Sequence, residues 1–377
     1  MTREHVLMTD PDSAGARPDG AALDRLRPLA FSVAYRMLGS VTEAEDVVQE
    51  ALTRISQADD VRNPDAFVTT VTTRIAIDVL RSARVRRETY VGEWLPEPLV
   101  GPVRVPVATA AAPPDAADHA ELADDLSTAF LVLLETLTPG ERVAFLHHDV
   151  LGYPHSAAAD VLGTSEVAAR QLASRARRRI SRRPATPADG GSTHSDGTDQ
   201  HTDRVRTGSR TNRARAEQLV TRFLAACEEG AVDPFLELLA EDVVLTGDSG
   251  GNVPPGMSIV RPVTGRETVA RMLAGFVRRR APLHFERALV GGVPGLLIMA
   301  DDEIGGGLVG TWSFEVVDGR LAGIRGVINP EKLRHIGPLA DLDRLRERLR
   351  DTGPRRGRPR RESTARPSPE DPAQTSP

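Results

Sequence analysis

Residues 165–183, SEVAARQLASRARRRISRR, hold seven arginines against one acid, a composition suited to nucleic-acid phosphates. Read as a helix, the stretch places Arg170, Ser174, Arg177 and Arg178 near one face at three- and four-residue steps. In its N-terminal half, Ser165, Arg170, Gln171 and Ser174 offer donors and acceptors to base edges; Arg175 and Arg178 beyond them suit phosphates. A second basic group, Arg81, Arg84, Arg86 and Arg87, taken alone reads as a solvated charge run. A third surface carries Asp46, Gln49 and Glu50 on the polar side of an amphipathic helix, a face that is solvated unless a partner covers it. Acid–base chemistry would draw on Asp242, Asp248, His284, Asp301 and Asp302, yet their spacing gathers none of them into one pocket. They read as surface carboxylates, and no catalytic residue is assigned. His194 and His201 lack ordered ligand spacing, so no metal is expected, and no cofactor is implied. The lone Cys227 reads as a small apolar residue on a helix face.

The elements that must position these residues follow from apolar periodicity. Leu26, Leu29, Val33 and Met37 define a helix over 23–38 that stops at Gly39. Thr42 and Glu45 suggest a capping box opening a second helix, striped by Ala44, Val47, Val48, Ala51, Leu52 and Ile55. Asn63 and Pro64 start a third, with Phe67, Val71, Ile75 and Val79 at four-residue spacing. Leu122, Leu126, Phe130, Leu133 and Leu137 begin a second helical unit near Glu121. In that unit Thr138-Pro139-Gly140-Glu141 forms a capping box, and the helix it opens ends at Gly152. A short helix over 154–162, a Gly163-Thr164 turn and the basic helix 165–181 complete a helix-turn-helix pattern.

Beyond residue 210 the pattern becomes α+β. Helices over 214–229, 234–240 and 266–279 accompany strands near 242–246, 283–290, 295–300, 307–317 and 320–328. Asp318-Gly319 is a two-residue hairpin signal, with Trp312, Phe314 and Val316 on one face and Thr311, Ser313 and Glu315 on the other. A curved antiparallel sheet is the expectation.

The organisation is therefore multidomain: a disordered leader over 1–20, a bundle over 21–94, a Pro-rich linker over 95–120 and a helix-turn-helix unit over 121–183. A polar flexible linker over 184–210, an α+β domain over 211–335 and a charged, Arg- and Pro-rich tail over 336–377 follow. Net charge is −5 over 377 residues, with basic and acidic residues segregated along the chain, and Lys332 is the only lysine. No stretch is apolar enough for a membrane span or signal peptide, which points to a cytoplasmic protein without a membrane partner.

LRPLAFSVAYRMLGSVTEAEDVVQEALTRI, followed by NPDAFVTTVTTRIAIDVLRS, resembles region 2 of extracytoplasmic-function (ECF) sigma factors. LTPGERVAFLHHDVLGYPHSAAADVLGTSEVAARQLASRARRRI resembles their region 4. The resemblance implies that Asp46, Gln49 and Glu50, matching a D-x-x-Q-E motif, dock on core RNA polymerase. It also implies that the helix carrying Arg74, Arg81 and Arg84 opens the −10 element of promoter DNA, and that helix 165–181 reads the −35 element. Ala157, Pro154 and His155 depart from the family pattern, and altered packing is expected there.

The extension, from QLVTRFLAACEEGAVDPFLELLAEDVVLTGDSGG to VVDGRLAGIRGVINPEKL, resembles the cone-shaped SnoaL-like domain that one group of these factors carries. YVGEWLPEP at 90–98 resembles that group's linker hallmark, and Asn329-Pro330-Glu331-Lys332-Leu333 its Asn-Pro-Asp-Lys-Leu motif. Asp248-Ser249-Gly250-Gly251 matches its Asp-Gly-Gly-Gly less well, because Ser249 breaks the glycine run. The resemblance implies regulation from within the chain, through contacts among Trp94, Leu95, Asp248, Gly250, Gly251, Asn329, Pro330, Lys332 and Leu333. A small-molecule ligand in the SnoaL-like domain would feed such regulation. Two other readings are a ligand-responsive helix-turn-helix regulator that ignores polymerase and a SnoaL-like isomerase or hydrolase tethered to a DNA-binding module. Arg-Gly-Arg-Pro in the tail resembles an AT-hook core, though an electrostatic tail is the favoured reading.

Overall fold

The computed structural model describes residues 19–101, 126–181 and 209–352, apart from 60, 62, 255, 256 and 280. The leader before Asp19, the stretch 102–125, the linker with His194 and His201, and the Arg-Gly-Arg-Pro tail lie outside the described residues. Helix α1 (Gly20–Leu38) is capped by the Asp19 carboxylate, which accepts from the Ala22 N–H, and stops at Gly39 with φ +66°. The next cap differs from the sequence expectation. Ser40, not Thr42, caps α2 (Val41–Ser56) by accepting from the Glu43 N–H. Glu45 instead pairs with Arg27 of α1. Asn63 Oδ1 caps α3 (Pro64–Glu88), accepting from the Ala66 N–H at 3.0 Å.

The second unit contains α4 (Thr128–Glu135), α5 (Pro139–Phe145), α6 (His155–Leu162) and α7 (Glu166–Ser181). The Thr138–Glu141 capping box forms in both directions. A π-helical turn over Leu146–Val150 extends α5 toward Gly152. At His155, one of the positions that depart from the family pattern, the ring lies 3.7 Å from that of His148, centroid to centroid.

These two helical units share one core. Leu29, Val33, Leu38, Val48 and Ile75 of the first pack in the same cluster as Leu131, Leu134, Val143 and Leu146 of the second. Polar contacts reinforce the seam. The buried Arg142 donates to Met37 O at 2.6 Å and Leu134 O at 2.5 Å, closing the C-terminal ends of α1 and α4. Arg87, expected in a solvated patch, is half-buried: it pairs with Glu135 and donates to Leu38 O. On α3, Thr69 lies 3.3 Å from the Tyr153 hydroxyl and Arg74 donates to Asp160 O at 3.0 Å.

The C-terminal region follows the expected alternation closely. It comprises α8 (Ser209–Glu229), α9 (Asp233–Leu238), β1 (Leu239–Asp248), the two-residue β2 (Val263–Thr264) and α10 (Arg266–Arg278). Then come β3 (Leu283–Val290), β4 (Val293–Ala300), β5 (Leu308–Val317), β6 (Arg320–Val327), α11 (Pro330–Leu333) and α12 (Leu342–Thr352). The strands form one sheet in the order β2-β1-β6-β5-β4-β3. Asp318 at φ 50° and Gly319 at φ 74° make the tight β5–β6 turn. Pairing is antiparallel except between β1 and β6, which run parallel, correcting the expectation of a wholly antiparallel sheet.

Trp312 and Phe314 join the core beneath the helices: Phe223 meets Trp312 edge-on and Phe314 at a tilt, and Phe276 and Phe285 pack at tilted angles against Trp312. Thr311 and Ser313 on the opposite face are also buried, so this sheet is covered on both sides. Leu345 of α12, in the stretch read as tail, is fully buried in the helix-side core. Cys227 is buried too, and burial pushes its thiol up to about 12.

His147 supplies a test of the seam between the helical units. Thr73 donates its hydroxyl to Thr69 O and lies 3.0 Å from His147 Nε2, which therefore carries the proton. His147 Nδ1 is buried without a partner, and burial lowers the ring's pKa from 6.5 to about 4. Below pH 6.5 the unfolded chain therefore binds more protons than the folded one. Stability should fall by up to about 3 kcal/mol as pH drops to 4. Measured across pH 4–7.5, the unfolding midpoint of the wild type should fall relative to that of His147→Phe as the pH drops, whichever of the two is higher at neutral pH.

Candidate functional site

Residues 90–101 run as an extended strap between the helical units and the C-terminal sheet. Their first anchor is the start of α2. The buried Glu97 carboxylate accepts from Ser40 Oγ at 2.8 Å and from the Val41 N–H at 2.7 Å, supplying partners to orphan donors at a helix N-terminus. Glu97 N–H donates to Gly39 O at 2.8 Å, and the buried Tyr35 hydroxyl donates to Glu97 O at 2.5 Å. A Cβ at Gly39 would lie 2.9 Å from the Trp94 ring, so glycine there serves both the αL cap and the seating of the strap.

Opposite lies a cluster built by the sheet. Because β1 and β6 are parallel, both strands end at the same edge, with Asp248 in register with Val327. Ile328 and Asn329 donate their N–H groups to Asp248 O at 2.8 and 3.1 Å, and Asn329 then caps α11. Strand pairing thus sets residues 248–251 beside residues 329–333.

The fully buried Asp248 carboxylate receives three donors. Tyr90 hydroxyl donates at 2.5 Å, Leu95 N–H at 2.7 Å and Lys332 Nζ at 2.7 Å. Lys332 also donates to Leu95 O at 2.5 Å, so both backbone polar groups of Leu95 are held. The ammonium sits 4.2 Å from the Trp94 ring centroid and 4.9 Å from that of Tyr90. Burial lowers the Lys332 pKa while Asp248 opposes the fall, and burial, with the hydrogen bond to Asp248, raises that of Tyr90. Asn329 Nδ2 donates to the Tyr90 hydroxyl at 2.9 Å. Gly250, at φ +59°, packs under this pair; a Cβ there would lie 2.9 Å from the Tyr90 hydroxyl and would collide with the Asn329 amide. Gly251 packs on Val91, and Ser249, which breaks the glycine run, is buried.

Apolar contacts complete the clamp. Leu95, Leu308, Val327 and Leu333 form a small core joined by Val132 of α4. Pro330 occupies the first turn of α11. Farther along, His335 Nε2 donates to Pro98 O at 2.9 Å, and Val100 bridges to Val290 at the β3 edge. All nine residues expected to form regulatory contacts lie in or around this clamp. Arg87 and His335 join it from outside the matching motifs. Tyr90 and Glu97 lie within the linker hallmark itself, but nothing in their spacing reveals which carboxylate the phenol meets.

The nucleic-acid candidates divide. On α7, Ser165, Arg170, Gln171, Arg175 and Arg178 are exposed and Ser174 is half-buried. Ser165 caps α7 by accepting from the Ala168 N–H at 3.2 Å, and Arg170 pairs with Glu166 at 2.9 Å. Arg177, expected on the same face, turns back to Asp149 at 3.1 Å. On α3, Arg81 is exposed beside Asp78, Arg74 is engaged by α6, and the Arg84 side chain lies outside the described residues. Asp46, Gln49 and Glu50 are exposed on α2, Glu50 paired with Arg54.

The family model described as Sigma-70 region 2 matches residues 22–86, and Sigma-70, region 4 matches residues 127–180. The ECF RNA polymerase sigma factor SigJ of Mycobacterium tuberculosis is 38% identical over 317 residues, 82% of this chain and 91% of that protein. This chain belongs to the ECF sigma factors. Its task is therefore promoter-specific transcription initiation with RNA polymerase. A probable ECF sigma factor of the same species, SigI, is 30% identical over 226 residues, 59% of this chain and 67% of that protein. The crystal structure of M. tuberculosis SigJ superposes with a TM-score of 0.59 at 33% identity, covering 84% of this chain and 98% of that one. The likeness thus runs through both sigma regions into the C-terminal domain.

The clamp yields a sharp energetic test. Removing one member of a buried ion pair leaves the other uncompensated, so Lys332→Met should destabilise by about 3–5 kcal/mol. Lys332→Arg should not rescue, because a planar guanidinium does not reproduce a compact ammonium between two rings. Chemical denaturation of the full chain checks both.

Proposed function

We propose that this sigma factor is held in a closed state by its own C-terminal domain, through the clamp on residues 90–101. The supporting observation is that α3 and the second helical unit cover each other. Thr69, Thr73 and Arg74, on the helix assigned to opening the −10 element, contact Tyr153, His147 and Asp160. The reading ridge of α7 remains open to solvent, as do Asp46, Gln49 and Glu50. Core polymerase docks at those three residues, and α7 meets the −35 element through Arg170, Gln171 and Ser174. Arg74 and Arg81 are already exposed, but presenting the α3 face that holds Thr69 and Thr73 to the opened strand requires the two helical units to part. The boundaries 21–94, 121–183 and 211–335 delimit the three working parts.

The C-terminal domain acts as a regulatory body, not an enzyme. Phe223 and Phe285 pack against Trp312 in the domain core, and Asp248 is committed to the clamp. His284 meets Asp301 at 2.7 Å, but on an exposed edge rather than in a closed cavity. No described helix is long and apolar enough to cross a membrane, and the factor works in the cytoplasm with polymerase.

Run-off transcription with purified core polymerase tests the closed-state reading. Asp248→Asn and Lys332→Met should both raise promoter-specific initiation, and a photocrosslinker placed at the buried Thr73 should begin to reach −10 DNA. Lower initiation with unchanged folding would instead make the clamp an activating brace. Separately, reversing Asp46 and Glu50 to Arg should weaken co-purification with core polymerase while changing stability by no more than about 0.5 kcal/mol.

A further inference from the structure

Val167 is 63% exposed, the most exposed of the large hydrophobic residues described. Single exposed apolar residues are common on protein surfaces, so exposure alone assigns it nothing. Its position on α7 does. Ala169, Ala173 and Ala176 form the buried stripe of that helix. Val167, Gln171, Ser174 and Arg178 follow one another at steps of four, three and four residues, and so make one ridge on the opposite side. Arg170 and Arg175 flank this ridge, and both are exposed. Val167 therefore continues the row of polar reading residues by one turn toward the helix N-terminus, the end of a recognition helix that reaches base edges. A valine there has no hydrogen bond to offer. What the major groove presents to an apolar side chain is the 5-methyl group of thymine.

We infer that Val167 is a specificity-determining residue that selects thymine at one position of the −35 element by packing on its methyl group. The inference rests on α7 being the −35 reader. Phosphate contacts by Arg178 hold the helix in the groove, and Val167 supplies an apolar surface where a polar side chain would accept other bases. Its β-branched side chain is stiff, so little rotamer freedom is lost on contact. Substitution to Ala leaves the buried stripe untouched and replaces a residue of lower helix propensity, so folding is not at issue.

The test uses holoenzyme assembled from the full chain and core polymerase. Promoters are first selected from a duplex library randomised upstream of the start site. Each thymine of the selected −35 element, on either strand, is then replaced by deoxyuridine, which lacks only the methyl group. The wild type should lose about fourfold in binding at one position, the equivalent of one buried methyl. Val167→Ala should bind the thymine and uracil duplexes equally at that position, and Val167→Ile should keep the preference. Arg178→Ala should weaken all duplexes alike. A wild type indifferent to uracil throughout, or a Val167→Ala variant with an undiminished preference, overturns the inference. If Arg170→Ala and Gln171→Ala also leave base preferences unchanged, the assignment of α7 as the −35 reader is what has failed.

Discussion

The arrangement hinges on one buried carboxylate. Asp248 lies out of water, where an unpaired charge would cost many kcal/mol, and it is satisfied from both sides of a boundary. Tyr90 and the Leu95 N–H come from the strap, and Lys332 comes from its own domain. Such a pair contributes little net stability against an apolar replacement, but it tolerates few other geometries. Apolar packing of Leu95 among Leu308, Val327 and Leu333 supplies attraction; the carboxylate fixes the register in which the strap docks. In a chain whose other permanently cationic side chains are all arginine, the one lysine occupies this site. A compact ammonium donates to a carboxylate and a carbonyl while lying against two aromatic rings; a guanidinium is larger and would have to displace buried neighbours to take its place.

The strap couples this clamp to the rest of the protein. Glu97 engages the N-terminus of α2, the helix bearing Asp46, Gln49 and Glu50, two residues after Leu95 is gripped by the C-terminal domain. Arg87 extends the connection by lying 3.6 Å over the Trp94 ring while pairing with Glu135 of α4. A change at the clamp therefore has direct contacts to α2 and to the seam between the helical units. Because both sides of the clamp belong to one chain, each is held at high effective concentration for the other, so individually modest contacts suffice to keep the strap docked.

The likeness to SigJ, which spans nearly that whole chain, fits a three-part unit. In this chain one face of the C-terminal sheet packs on aromatic side chains around Trp312, while the opposite face, usually free to meet solvent in an antiparallel sheet, is buried against the strap and α4. The sheet has been put to use as a docking surface. Fold alone would not have revealed this, since cones of the same architecture also serve as enzymes.

Periodicity and punctuation in the sequence determined most local elements: the helix stop at Gly39, the capping box at Thr138, the turn at Asp318-Gly319 and nearly every strand of the C-terminal domain. These signals are legible because each depends on residues within one or two turns of one another. The nine clamp residues, too, were visible as motifs, though not as partners. What only the tertiary structure decided was who meets whom. Glu45 left its expected cap for Arg27, Arg87 left the solvent for Glu135, and Leu345 joined a core from a stretch that reads as a charged tail. Above all, the parallel pairing of β1 with β6 put Asp248 and Lys332 at the same sheet edge. Strand direction is set by chain connectivity and long-range packing, not by the alternation within either strand, so an identical pattern of residues is compatible with both pairings.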